Sequence, residues 1–252
     1  MTVTTPDCHH IPELRSLWKT AFGDEDAFLD AFFSTAYSPD RCRCIIEDDG
    51  IQAALYWFDA SCAGHKFAYL YAVATDPAHR GKGLCRKLME DVATQLTDRG
   101  YHGLILVPQK ESLRAMYRKM GYADCGRVST FTAPAEDIPL SLRRLTTAEY
   151  AALRRQLLPT GAMVQEGENL DFLATYALFF AGDDWLAALT IEDGKMICHE
   201  LLGNPDAAYA LVAAFGCGEG SFRIPGKDQP FAQYRKLVPD CPEPTYFGLA
   251  FD

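Results

Sequence analysis

The stretch YLYAVATDPAHRGKGLCRKLME, residues 69–90, sets the strongest limit on what this chain can fold into. An apolar run of strand length passes through Asp76-Pro77 into a basic turn with two glycines, and a helical repeat begins at once. Over residues 67–74 both alternating sets of side chains are apolar, which suits a strand in mid-sheet covered on both faces. Leu84, Leu88, Val92 and Leu96 recur at every fourth position, so the helix buries one stripe, and Gly100 is a natural C-terminal cap. A turn of this kind offers several main-chain N–H groups at a helix N-terminus, where the aligned peptide dipoles also favour negative charge. The segment reads as a site for a coenzyme carrying a pyrophosphate.

Charge makes that turn stand out. The chain of 252 residues carries a net charge of −10, with 15 Lys/Arg against 17 Asp/Glu in residues 1–133 and 9 against 17 in residues 134–252. Such an acidic total argues against nucleic-acid binding, which needs Lys and Arg to neutralise phosphates. The run HRGKGLCRK, 79–87, has four Lys/Arg and no acid, a local anion site in an acidic protein. With 48% hydrophobic and 23% charged residues the composition is globular, with room for one large domain or two small ones. No apolar run approaches the roughly 18–20 residues that span a bilayer. The N-terminus MTVTTPDCHH has no basic region followed by an apolar stretch, so neither membrane association nor a secretory signal is expected. Nine cysteines are scattered without a CxxC pair, and Cys42 and Cys44 alternate along one strand. Reduced, mostly buried thiols in a cytoplasmic protein are expected.

Periodicity and turn residues predict a short strand over 2–5, helices over 11–22 and 24–37, and strands over 41–47, 51–61 and 66–75. The turns Asp48-Asp49-Gly50 and Ala63-Gly64 separate these strands. After the central helix come a strand over 103–107, a helix over 112–120 stopped by Gly121, and a hairpin over 122–131. Residues 134–139, PAEDIP, form a linker. Beyond it the pattern predicts strands at 140–145, 185–192, 196–202, 221–224 and 245–251, and helices at 148–158, 169–180, 207–215 and 230–237. Residues 107–120 and 224–237 share a Pro-x-Lys followed by Tyr-Arg-Lys at a constant offset, which suggests an internal repeat of strand, proline and helix. The basic glycine turn has no counterpart in the second copy, where HELLGNP, 199–205, stands in its place.

Arg80-Gly81-Lys82-Gly83-Leu84-Cys85, introduced by Val73-Ala74-Thr75-Asp76-Pro77, resembles the coenzyme motif Gln/Arg-x-x-Gly-x-Gly/Ala of the GCN5-related N-acetyltransferases (GNAT). Tyr117-Arg118-Lys119-Met120-Gly121-Tyr122 is similar to that family's later Tyr-x-Lys-x-Gly-Phe signature. The Asn often found early in that helix is missing, with Lys110 and Glu111 nearby instead. The resemblance implies a mixed α/β (α+β) fold, a centrally splayed sheet flanked by helices, with residues 1–133 as the acetyl-CoA-binding catalytic domain. Residues 140–252 would be a second, smaller and degenerate GNAT-like unit in a tandem arrangement.

It further implies acyl transfer from acetyl-CoA, without a metal, to the amine of a small molecule or peptide, by direct attack of the neutral amine on the thioester. Amides of Gly81, Lys82, Gly83, Leu84 and Cys85 would cradle the pyrophosphate, with Arg80 adding charge, and the backbone of Val73 and Ala74 would face the pantetheine and the thioester carbonyl. Tyr117 is the candidate proton donor to the departing thiolate, and Glu111 a candidate base, with Glu47, Tyr71, His79 and a terminal carboxylate at Asp252 as alternatives. Trp18, Trp57 and Trp185 read as core or cleft wall, Cys8-His9-His10 as a loop leading into a helix, and Arg114, Arg118 and Lys119 as mostly a solvated helix face. A non-catalytic acyl-CoA-binding or regulatory protein is the alternative. Gly81-Lys82-Gly83 lacks the spacing of a P-loop, which sets aside a nucleotide phosphatase or kinase. A monomer or a homodimer is compatible with this reading.

Overall fold

Strand β1 (Thr2–Thr4) is followed by two amphipathic helices, α1 (Ile11–Phe22) and α2 (Asp26–Thr35). Antiparallel strands β2 (Cys42–Glu47), β3 (Gly50–Cys62) and β4 (His65–Thr75) come next, then α3 (Leu84–Asp98), β5 (Gly103–Leu106), α4 (Glu111–Arg118) and β6 (Ala123–Pro134). The chain continues through β7 (Arg143–Arg144), α5 (Thr147–Leu157), β8 (Met163–Gln165), α6 (Glu168–Leu173), β9 (Leu178–Ala181) and β10 (Trp185–Glu192). It closes with β11 (Lys195–Gly203), α7 (Ala207–Ala214), β12 (Glu219–Pro225) and β13 (Gln229–Lys236). These elements come from a computed structural model that describes residues 2–47 and 50–251, so Asp48 and Asp49 of the first predicted turn lie outside the described residues.

Local sequence explains most of these boundaries. Helix α1 carries a proline in its first turn and stops at Gly23, whose φ of 81° only glycine adopts freely. A two-residue turn with φ of 49° at Ala63 and 80° at Gly64 joins β3 to β4. Cys8-His9-His10 forms a single 3-10 turn capped by Asp7, a lead-in to α1 as the sequence predicts. Leu84, Leu88, Val92 and Leu96 are all buried, and burying each such side chain stabilises by about 1.5–3 kcal/mol. They pack with Ala68, Leu70 and Leu104 on one face of the sheet. Phe67 and Tyr69 point to the other face, toward Trp18 and Phe32 of α1 and α2. Eight of the nine cysteines are at least partly buried and all nine are free thiols. Among the described residues no helix is long and apolar enough to cross a membrane.

Among the described residues the strands form one sheet in the order β1-β2-β3-β4-β5-β13-β6-β12-β11-β10-β9-β7, with β8 paired to β3 off this path. Strand β13 lies between β5 and β6, antiparallel to both, and β6 in turn pairs with β12. The two halves are thus interlocked, because the last strand of the second completes the sheet of the first. This corrects several expectations. Residues 230–237 are strand rather than helix, since the slot between β5 and β6 demands an extended partner, so the repeat of strand, proline and helix fails in its last element. In place of the hairpin expected over 122–131 there is one long strand, Ala123–Pro134, because β6 is held on both sides by β12 and β13. The helix expected over 169–180 ends at Leu173, so that β9 can pair with β10. Residues 245–251 run without a strand ladder, touching Ala162 through one bridge at Tyr246, and the strand at 140–145 shrinks to Arg143–Arg144.

Candidate active site

Strands β4 and β5 run parallel only from Phe67↔Gly103 to Tyr69↔Ile105, and beyond that pair they separate. The cause is visible in β4. Its register against β3 slips between Tyr56↔Tyr71 and Ala54↔Ala74, and Ala72 sits at a φ of 45°, rare for a residue with a Cβ. Such a bulge bends a strand and re-aims its side chains, and strained backbone of this kind is held only where its surroundings enforce it. The opening is a cavity of about 460 Å3 lined on one wall by Tyr71, Ala72 and Val73 and on the other by Val107, Pro108, Gln109, Lys110, Leu113 and Tyr117. Trp18, Asp24 and Phe28 from the α1–α2 region close its far side, with Tyr176 and Phe251 from the second half. The Trp18 indole N–H donates to the Asp24 carboxylate at 2.7 Å, which fixes both groups against the cavity.

The basic turn lies past the end of β4, so it shares the end of the sheet at which the strands part. A short 3-10 turn, Pro77–His79, capped by Asp76, carries the chain into it. Gly81 and Gly83 each have a φ of 78°, and a Cβ added at either would meet nothing within 4 Å. Their backbone shape, not crowding, is what demands glycine there. Gly83 is the N-cap of α3 and bears no side-chain cap. The first bond of the α3 ladder is Lys87 N–H to Gly83 O at 3.1 Å, so the amides of 83–86 have no acceptor within the helix. They stand at the positive end of a 15-residue helix. The Arg80 guanidinium donates back to Thr75 O at 3.2 Å. Leu84 is buried in the core, which leaves its amide as its contribution to the turn. Burial pushes the Cys85 thiol up to about 11, with Arg86 opposing, so it stays protonated.

Of the residues singled out on sequence, Val73, Tyr71 and Tyr117 meet at the cavity, whereas Ala74 rejoins the β3 ladder opposite Ala54 just behind it. Glu111 is not part of the cavity lining: it is largely exposed and bound to Arg118 at 2.9 Å. Nor does His79 line it; its ring lies 3.3 Å from the Asp76 carboxylate. Asp252 lies outside the described residues, while its neighbour Phe251 lines the cavity and donates its N–H to the Tyr69 hydroxyl at 3.4 Å. Arg118 and Lys119 of the α4 end are exposed, as the sequence predicts, and Arg114 is the exception. Arg114 is largely buried and donates to Asp124 at 2.7 Å and to the carbonyls of Pro230 and Phe231 at 3.2 Å, which ties the helix bearing Tyr117 to β6 and β13. Sequence reasoning did not find Asp24, Tyr176 or Phe251 as cavity residues, because nothing local to them marks a site.

A family model described as an acetyltransferase (GNAT) domain matches residues 5–125. No curated protein matches the chain. Among solved structures it is similar to a GCN5-related N-acetyltransferase from Kribbella flavida, at 18% identity and a TM-score of 0.71, covering 94% of this chain and 72% of that one. A GCN5-related N-acetyltransferase from Anabaena variabilis matches at 13% identity and a TM-score of 0.72, covering 94% and 73%. A conserved protein from Enterococcus faecalis V583, described as a probable N-acyltransferase, matches at 16% identity and a TM-score of 0.73, covering 94% and 72%. Residues 5–125 thus match an acetyltransferase (GNAT) domain, and the chain has the mixed, splayed α/β fold of GNAT proteins.

Proposed function

We propose that this chain is an N-acyltransferase that moves the acetyl group of acetyl-CoA onto a primary amine. The observation that carries the reading is the pairing of a parted β4–β5 opening, with Val73 and Tyr117 on facing walls, with the first-turn amides of α3, 83–86, on the same end of the sheet. Those amides, preceded by two left-handed glycines with open space around them, suit the approach of a pyrophosphate. The pantetheine arm would run into the opening, where the widened strands leave main chain available to its amides. An N–H at Val73 or Ala74 would then polarise the thioester carbonyl.

Tyr117 is 6% exposed, and burial raises its pKa well above the usual range, so its hydroxyl holds a proton. In the proposed reaction the neutral amine nitrogen bonds to the thioester carbon and the carbon–sulfur bond breaks. The sulfur takes the Tyr117 proton, and the proton lost by the amine returns through water to restore the Tyr117 hydroxyl. Among the described residues the carboxylate lining the cavity is Asp24, and its setting among aromatic rings suits an amine that arrives as a cation.

Calorimetry with CoA, followed by assay of thiol release from acetyl-CoA across a panel of primary amines, tests the proposal. Micromolar binding and amine-dependent release support it. Binding without release would make the protein a non-catalytic acyl-CoA binder, and absence of binding would end both readings.

A further inference from the structure

We propose that His65, His102 and Asp240 form a binding site for a divalent transition-metal ion of the zinc class, at the end of the sheet remote from the cavity. One ligating atom from each of the three lies within 4.8 Å of the others. Sheet register is what gathers them. His65 opens β4, His102 immediately precedes β5, and Asp240 follows β13. Phe67 pairs with Gly103 and Gly103 pairs with Lys236, so the starts of β4 and β5 and the end of β13 stand in one row.

The backbone at each position is fixed. His65 pairs with Cys62 across the two-residue Ala63-Gly64 turn. The His102 N–H donates to Lys66 O at 2.7 Å, and its carbonyl accepts from the Leu237 N–H at 2.9 Å. The turn that carries Asp240 is closed by Cys241 N–H to Val238 O at 3.2 Å. The two imidazoles lie edge to face with centroids 4.6 Å apart. His102 Nδ1 is buried and makes no hydrogen bond to the described residues.

Two imidazoles and one carboxylate suit zinc and its first-row neighbours, whereas calcium and magnesium select oxygen ligands. Zinc bonds of about 2.0–2.1 Å place ligand atoms roughly 3.3 Å apart, so the cluster closes by side-chain rotation, most readily at exposed Asp240, with water in the fourth position. The neighbouring thiols are engaged elsewhere: Cys62 donates to Gly161 O at 3.3 Å and Cys241 to Pro242 O at 3.5 Å. From His65 to Tyr71 the strand rises about 20 Å. The ion would therefore take no part in acyl transfer. It would staple three strand ends and anchor the start of the segment that leads to Phe251.

The test uses the full-length protein after chelator treatment, titrated with Zn2+ by calorimetry and with Co2+ by visible absorption. Expected are one ion per chain, a cobalt spectrum without a thiolate charge-transfer band, and a raised Tm. His65→Ala and His102→Ala should each weaken binding about a hundredfold or more, and Cys62→Ser/Cys241→Ser should leave it intact. Circular dichroism and a cooperative thermal melt of each metal-free variant verify that it folds. Failure of the full chain to bind either ion saturably, a thiolate band, or undiminished binding in the His65→Ala/His102→Ala double variant would overturn the site. None of these outcomes depends on the acyltransfer reading.

Discussion

Loss of water around the Tyr117 hydroxyl, together with the nearby Cys85 thiol, raises its pKa well above the usual 10.0. A phenol so placed keeps its proton at neutral pH and in mild alkali, so its hydroxyl is available to the departing sulfur. The expected kcat/KM therefore rises with pH as the acceptor amine deprotonates and shows no alkaline fall below about pH 10. Tyr117→Phe should lower kcat about a hundredfold and leave the KM for acetyl-CoA within about twofold. A steady-state comparison decides it, since a purely positional hydroxyl would raise KM and spare kcat. Tyr117 and Val73 were legible in the sequence because each sits in a motif with fixed spacing to a turn or a helix end. Asp24 and Phe251 were not, because they reach the cavity through tertiary packing. Glu111 was proposed as a base by position alone, and in the fold it is exposed, outside the cavity lining, and paired with Arg118 at 2.9 Å.

Among the elements, the turn before α3 carries the sharpest expectation. A Cβ at Gly83 would touch nothing, yet the left-handed φ of 78° costs any other residue about 1–2 kcal/mol. Gly83→Ala should lower Tm by a few degrees and weaken CoA binding about tenfold as the turn reshapes, measured by thermal melts and calorimetry. The strand–turn–helix unit was readable because its signals are local: alternation, two glycines, and a stripe at every fourth residue. Strand β13 was not. Residues 230–237 carry a helix-compatible pattern much like that of α4, and what makes them a strand is the empty slot between β5 and β6. The β4 bulge at Ala72 was equally hidden, for an alanine gives no sign that it will adopt positive φ.

For the molecule as a whole, buried thiols and phenols set the alkaline limit. Burial pushes Cys44 to about 12, Cys62 and Cys85 to about 11, and Tyr234 to about 12, against ordinary values of 9.0 and 10.0. The native state binds these protons more tightly than the unfolded chain does. Their stabilisation is thus complete below pH 9 and is lost as pH climbs through 11 and 12. Tm measured from pH 8 upward should fall steeply across that window, and a flat profile would contradict it. The interlocked sheet gives a second expectation: a fragment of residues 1–133 lacks β13, exposes the edges of β5 and β6, and should be insoluble unless the remainder is supplied in trans. Seen from the ribosome, the same arrangement imposes a schedule. An early-made half cannot seal its own sheet, so it waits as a gapped scaffold, in need of shelter, until residues 229–236 have left the ribosome.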